Sequence, residues 1–261
     1  GMAKILSALV VAQALEQGEI TLEQQVQISQ TASRTGGMSA FLTSGASYPV
    51  SDLYKTMMMI SANDATIALA EAISGSEEAF VARMQKKAAE LGASPVLVNA
   101  TGHKAAGQKM SAQDAAKIAC ALVKYPSALE RSAVYMDYLT HAEGRETELV
   151  NPNRLVRFYE GCDGIATGSN SESGYSGAFT ALRGSDRYIA VVIGARNANQ
   201  RSEIAQKLLD YAFANFRSVI VMEKGKGVAK DVPVSGGMKK TVHGVAGESF
   251  SMLLAKTAEE N

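Results

Sequence analysis

The sequence predicts an α+β fold, with helices in its first half, strands in its second and a small all-β segment at the end. Three observations carry this. Capped helical segments recur up to about residue 124, ahead of Pro126. From residue 146 onward, short apolar or alternating runs are separated by Gly, Asn and Asp clusters, which is strand patterning. One long amphipathic segment, about Gln200 to Phe216, stands between two groups of strands. Elements grouped this way argue against a doubly wound sheet.

Taken in order, Ile5–Val11 and Ala12-Gln13-Ala14 read as an apolar helix that runs on through Leu15-Glu16-Gln17 and stops at Gly18. The same residues, with Met2-Ala3-Lys4 ahead of them and an A-x-A ending, imitate a signal peptide, although the apolar run is short for one. Residues 20–28 alternate enough for a short edge strand. Ser51 is expected to cap a helix that runs through Met57-Met58-Met59, and a second helix covers about Asp64 to Ile73, broken by Ser74-Gly75-Ser76. Ser76 is expected to cap the next helix, with Glu77 and Glu78 complementing its macrodipole, ending near Gly92. Ser111 and Asp114 have capping-box spacing and open a helix to about Lys124. Strands are expected at 146–150, 177–183 and 188–193, the last two joined by a turn at Arg183-Gly184-Ser185-Asp186. After the long helix come strands at 219–222, 228–232, 240–245 and 250–254.

Composition excludes more than it assigns. The 261 residues are 46% hydrophobic, enough for one good core and a smaller second unit. Basic and acidic residues number 26 each, which argues against nucleic acid as a partner. Nothing approaches the roughly 18 apolar residues of a membrane span. Cys120 and Cys162 fit neither a disulfide framework nor a zinc site and read as small buried hydrophobes. His103, His141 and His243 show no metal-ligand spacing, so neither a metal nor another cofactor is expected.

Chemistry enters with three short motifs. In serine penicillin-recognising enzymes the signatures are S-x-x-K, S-x-N and K-T-G, in that order. Here they stand as Gly1-Met2-Ala3-Lys4, Ser61-Ala62-Asn63 and Ala166-Thr167-Gly168, so only the middle one is intact. The wording around them is more specific. Ser61-Ala62-Asn63-Asp64-Ala65 leading into Ile67-Ala68-Leu69-Ala70-Glu71 resembles the low-molecular-mass, penicillin-binding D-alanyl-D-alanine carboxypeptidases. So do Asn151-Pro152-Asn153-Arg154-Leu155, Tyr159–Ile165, Asn99-Ala100-Thr101-Gly102-His103 and Ile189–Gly194. The resemblance runs from residue 1 to about residue 250, in order and at compatible spacing.

It implies a β-lactamase/transpeptidase-like fold: an antiparallel sheet with helices and a helical subdomain, over residues 1–217, then a partial C-terminal β domain over 218–261. It also implies an acyl-enzyme mechanism, in which a serine hydroxyl, activated by a neighbouring base, attacks a peptide carbonyl. Lys4 matches the base, which must be neutral to act and so needs a depressed pKa. Ser61 matches a proton relay and Asn63 an amide that holds the substrate backbone and the lysine. Thr167 and Gly168 belong to the strand beside which an extended peptide lies. The N–H of Ser169 matches an oxyanion donor, and Arg201 the arginine that grips the substrate's terminal carboxylate through its two-pronged geometry. His103 is expected in a helical region with a structural hydrogen bond, and none of the three histidines is assigned to catalysis.

The departures are equally informative. Position 1 is glycine, which has no hydroxyl to acylate, and Gly1-Met2 reads as a remnant of tag removal ahead of a start methionine. The resemblance implies strands upstream of that position and a membrane anchor far downstream, neither of which this sequence carries. Ala166 removes a positive charge from the K-T-G position. Loss of a nucleophile can cost on the order of a millionfold in rate, so the chain as written should not turn over substrate. The expected partners are peptidoglycan pentapeptide stems, and β-lactams once a serine is restored, at an exported, extracytoplasmic location. A non-catalytic binder of cell-wall peptides or of a protein partner is the alternative. A class A β-lactamase is a weaker reading, because the second motif is S-A-N rather than S-D-N.

Overall fold

A computed structural model describes residues 2–103 and 105–257. In chain order the elements are α1 (Ala3–Glu16), β1 (Gln25–Gln27), α2 (Gln30–Ser33), β2 (Ser47–Pro49), α3 (Val50–Ile60), α4 (Asn63–Ser74) and α5 (Glu77–Glu90). Then follow α6 (Ala112–Leu122), α7 (Pro126–Ser132), β3 (Met136–Thr140), β4 (Glu146–Val150), α8 (Leu155–Phe158), β5 (Cys162–Asn170), β6 (Gly174–Arg183) and β7 (Asp186–Ala195). The chain closes with α9 (Ala198–Asn215), β8 (Phe216–Met222), β9 (Gly227–Pro233), β10 (Thr241–Val245) and β11 (Phe250–Ala255). The α+β reading therefore holds.

Two compact units emerge, Gly1–Arg183 with Arg187–Leu209, and Gly184–Asp186 with Asp210–Asn261. The first is organised around α1. From Ala3 to Ala12, and again at Ala14, every side chain of this helix is buried. A helix apolar on all sides has no face to offer water, so it must be central. It is: α3, α4, α5, α6 and α7 pack around it, and β5 touches it. Gly18, with φ +70°, closes the turn that follows.

The helix boundaries follow the capping chemistry, with one correction. Ser76 Oγ accepts from Ala79 N, and Ser111 and Asp114 form a reciprocal capping box. Ser51 does not cap α3. That helix starts at Val50, and the N–H groups of Val50 and Ser51 donate to the carbonyls of Gln24 and Leu22 at 2.9 Å. Backbone from the β1 side satisfies the helix-end donors, so no side-chain cap is needed. The edge strand expected over 20–28 contracts to β1, paired antiparallel with β2.

Elements missed by the sequence reading are short or begin where a stop was expected. Pro126 ends nothing new; it stands at the first turn of α7, where its missing N–H is harmless. β3 pairs with β4 in a hairpin with exposed side chains at most positions. Cys120 is exposed, correcting the expectation of burial, whereas Cys162 is buried and its thiol pushed up to about 11 by that burial.

The sheet that matters for the site has the order β5-β6-β7. Residues Ser176–Ala181 of β6 are buried at every position, as a strand covered on both faces must be. Asn151 and Asn153 rivet the start of β5. Asn151 Nδ2 donates to Ser132 O and Val134 O at 3.0 Å, its Oδ1 accepts from Asn153 N at 2.9 Å, and Asn153 Nδ2 reaches Gly164 O at 3.2 Å. In the second unit β8 pairs with β11 and β9 with β10. Ile220, Val221, Val245, Phe250 and Leu253 there are all more than half exposed.

Because α1 has no wet side, shortening one of its buried residues leaves a hole that cannot drain. Leu9, 1% exposed, changed to Ala should cost about 2–5 kcal/mol, measured as a drop in urea midpoint with the slope retained.

Candidate active site

Lys4, Ser61, Asn63, Thr167, Gly168, Ser169 and Arg201 line one cavity of about 400 Å³. They arrive from four places. Lys4 comes from the first turn of α1, and Ser61 and Asn63 from the α3–α4 junction. Thr167 to Ser169 lie on β5, and Arg201 on the first turns of α9. Gly1 lies outside the described residues. Ala166 does not line the cavity; it packs against the hydrophobic core. A strand alternates its faces, so Ala166 and Thr167 diverge.

Lys4 is the electrostatic centre. Its side chain is 6% exposed and its Nζ donates to Thr101 O at 2.8 Å. Burial lowers its pKa from 10.5 to about 7, because a charged ammonium loses its hydration there and no carboxylate contributes to the shift. A substantial neutral fraction therefore exists near pH 7, as proton abstraction requires.

The α3–α4 junction is held open by strain. Ser61 adopts φ +58°, ψ +40°, a left-handed conformation that costs a residue with a Cβ on the order of 1 kcal/mol. That kink separates two helices end to end and leaves Ser61 Oγ donating to Thr167 O at 3.4 Å. Asn63 Nδ2 donates to Gly36 O at 2.6 Å, which fixes which way the amide faces. Its Oδ1 is buried with no protein partner. One residue on, Asp64 accepts from Ser39 Oγ at 2.6 Å and from the N–H groups of Ala40 and Leu42. It thereby pins the 36–42 loop beside the site.

Arg201 is 4% exposed. Burial holds its pKa below the usual arginine value, with Tyr175 pulling the other way. Its Nη2 reaches Pro152 O at 3.4 Å, and its Nε is buried with no protein partner. Gly177 makes room for it: a Cβ there would stand 3.3 Å from Arg201 Cδ and 2.6 Å from the Phe179 ring.

Sequence reasoning missed Gly37, Met38, Thr101, His103 and Tyr175, which also line the cavity. Gly37 carried a readable signal as half of a Gly-Gly pair. Its φ is +91°, and a Cβ would sit 2.6 Å from Asn63 Nδ2 and 2.9 Å from His103 Nδ1. His103 lies in the loop between α5 and α6 and lines this cavity, its N–H donating to Thr101 Oγ1 at 3.2 Å, whereas His141 sits elsewhere, between Tyr48 OH at 2.7 Å and Thr147 Oγ1 at 2.8 Å. Among the described residues no group of three or more His, Cys, Asp or Glu comes together to hold a metal ion. Among them too, no helix is long and apolar enough to cross a membrane.

The model of the D-alanyl-D-alanine carboxypeptidase family, Peptidase_S11, matches residues 1–197. The chain belongs to that family. It is similar to the carboxypeptidase DacF of Bacillus subtilis, 38% identical over 261 residues, covering 100% of this chain and 67% of the relative. DacC of Escherichia coli is 32% identical, covering 100% of this chain and 66% of the relative. The chain thus spans about two thirds of the length of these curated relatives. Penicillin-binding protein 5 from Haemophilus influenzae superposes with a TM-score of 0.86 at 29% identity, over 98% of this chain and 75% of that one. Penicillin-binding protein D2 from Listeria monocytogenes, in its ampicillin-bound form, gives 0.70 at 28% identity, over 81% and 85%. The fold of this carboxypeptidase-family chain is therefore the transpeptidase-like α+β fold of the penicillin-binding proteins.

Two outcomes follow from this geometry. Lys4 has a folded pKa of about 7, below its unfolded 10.5. Between those values the unfolded chain retains a proton that the folded chain has released, so stability rises with pH across the window. Below about 7 both states carry the charge and the burial penalty is complete. Lys4→Met should therefore stabilise the protein more at pH 6 than at pH 9.5, by on the order of 2–3 kcal/mol in denaturant melts. Gly37→Ala should destabilise by about 1–3 kcal/mol through its positive φ and its clash with Asn63, and should shift the Asn63 side-chain amide resonances.

Proposed function

We propose that this cavity is a serine-type D-alanyl-D-alanine carboxypeptidase site for peptidoglycan stem peptides, which in the present sequence binds without turning over. The observation that supports it best is the pair of orphaned polar atoms. Asn63 Oδ1, an acceptor, and Arg201 Nε, a donor, are both buried and unpartnered in one cavity. Buried polar atoms normally find partners, and a peptide terminus offers both: an amide N–H for Asn63 and a carboxylate for Arg201.

In the complete reaction a serine hydroxyl at position 1 loses its proton to neutral Lys4 and attacks the penultimate carbonyl. The oxygen that gains charge rests on the N–H of Ser169 and that of position 1. Ser61 passes the proton to the leaving amine, the C–N bond breaks, and D-alanine departs, leaving an ester that water hydrolyses. Thr167 and Gly168 carry the extended peptide along β5, Asn63 holds its backbone, and Arg201 holds its carboxylate. With glycine at position 1 no acyl-enzyme can form through that residue.

A second reading, a non-catalytic binder of cell-wall peptides or of a protein partner, is favoured by Ala166. The strand around it is otherwise intact, yet the position carries no charge. Both readings place residues 1–217 as the peptide-binding domain and 218–261 as part of a β domain. Both also place the protein at the extracytoplasmic face of the cell envelope, with neither nucleic acid nor a cofactor as a partner.

A labelled penicillin separates them. Gly1→Ser should become covalently labelled if Ala166 is tolerated. Labelling that needs Ala166→Lys as well would favour the non-catalytic reading. No labelling of the double variant, with its thermal melt intact, would sink the site assignment.

A further inference from the structure

A second cavity, of about 430 Å³, adjoins the first. Gly102 and the β5 residues Gly168, Ser169 and Asn170 line both, so the strand leads from one into the other. Lys4, Asn63 and Arg201 line only the first, and Ser171, Glu172 and Ser173 of the turn after β5 line only the second. The second has an apolar side formed by Met2, Ala3, Leu97, Met110 and Ile193. Ile193 is 40% exposed there, a large apolar side chain with room for a ligand to cover it.

Among the described lining residues two are charged, Lys109 and Glu172, and they come from different walls. Lys109 lies on the loop that leads into α6, where it exchanges both backbone hydrogen bonds with Val96, at 2.8 and 2.9 Å. Beside it, Gln108 Oε1 accepts from the N–H groups of Val98 and Asn99 at 3.0 and 3.1 Å. Glu172 sits in the β5–β6 turn, where Asn170 Oδ1 accepts from the N–H groups of Glu172 and Ser173. Both attachment points are thus fixed through the backbone. Both side chains are exposed, and among the described residues neither makes an ion pair or a side-chain hydrogen bond, with the other or with anything else. A cation and an anion held on separate walls, without neutralising each other, complement a ligand that carries both charges.

Distance decides which part of a ligand arrives there. Two extended residues span about 7 Å, and the strand rises by about 7 Å between Gly168 and Asn170. A peptide whose terminal carboxylate is held by Arg201 and whose backbone follows β5 therefore brings the residue before its last two to the second cavity. We propose that this cavity is a specificity subsite for that residue, and that it takes an aliphatic side chain ending in both an ammonium and a carboxylate. Glu172 receives the ammonium, Lys109 the carboxylate, and the methylenes lie against Met110 and Ile193. The proposal rests on the peptide-binding reading of the neighbouring cavity. A few polar groups set around an apolar lining fix the orientation of a ligand and select among ligands.

The full chain would be titrated calorimetrically with N-acetyl-D-alanyl-D-alanine and with three N-acetyl tripeptides, X-D-alanyl-D-alanine, in which X is norleucine, lysine or 2,6-diaminopimelate joined through one α-carboxyl. Exposed charge pairs contribute a factor of a few each. The diaminopimelate peptide should therefore bind on the order of five- to tenfold tighter than the norleucine peptide, with lysine between them. Lys109→Met should erase the gap between diaminopimelate and lysine, and Glu172→Gln the gap between lysine and norleucine. Neither change should alter binding of the dipeptide, which ends short of both residues. Equal binding of the three tripeptides by the wild type overturns the subsite, and dipeptide binding then leaves the neighbouring site standing. A gap that survives its own variant overturns the assignment of that residue and, with it, the doubly charged ligand. Absence of binding of dipeptide and tripeptides alike by the wild type overturns both sites.

Discussion

The structure depends on one constraint, that α1 is surrounded. Ten successive residues, Ala3 to Ala12, are buried, and two of them, Lys4 and Ser7, are polar. Each needs a partner inside the protein, because an unpaired buried polar group costs more than a hydrogen bond returns. Both partners come from one short segment: Lys4 donates to Thr101 O and Ser7 to Ala100 O at 2.7 Å. The need to satisfy a buried helix thus draws the 99–103 turn to the mouth of the cavity and brings His103 with it. Packing and chemistry are here the same requirement.

Much of this was legible. The all-round apolar character of the first helix, the serine caps at Ser76 and Ser111, and the short runs of β6 and β7 bounded by turn residues are local signals that local physics obeys. The three motifs gave Lys4, Ser61, Asn63, Thr167 and Gly168 of the cavity because their types and order are unusual together, and the wider resemblance added Ser169 and Arg201. What stayed hidden was set by distant partners. Ser51 looked like a cap, but Val50 and Ser51 found carbonyls on the β1 side. His103 looked like a purely structural residue, yet it lines the cavity. Cys120 looked buried because thiols usually are, yet it sits on the outer side of α6. Gly37 could be seen as a turn former, but its closeness to Asn63 and His103 is visible only in three dimensions.

The cavity gathers groups separated by nearly two hundred positions in sequence, and its walls differ in kind. The α1 wall is rigid because it is buried. The β5 wall is rigid because Asn151 and Asn153 tie its entry to α7 and to Gly164. The third wall, the 36–42 loop, has no secondary structure of its own and takes its shape from Asp64. Strain at Ser61 is tolerated because the helices on either side and the strand at Thr167 leave it no better place.

Asp64 has a consequence for how such a chain can change. It lies in the same helical turn as Asn63, yet its acceptors are spent on a loop more than twenty residues earlier. A carboxylate that receives a hydroxyl and two amides at set distances acts as a gauge of loop length. Side chains from 36 to 42 can drift, but an inserted or deleted residue would lift Gly36 O off Asn63 and uncouple the wall from the motif. Natural variation there should therefore appear as substitution, with changes in length confined to the far side of Thr43.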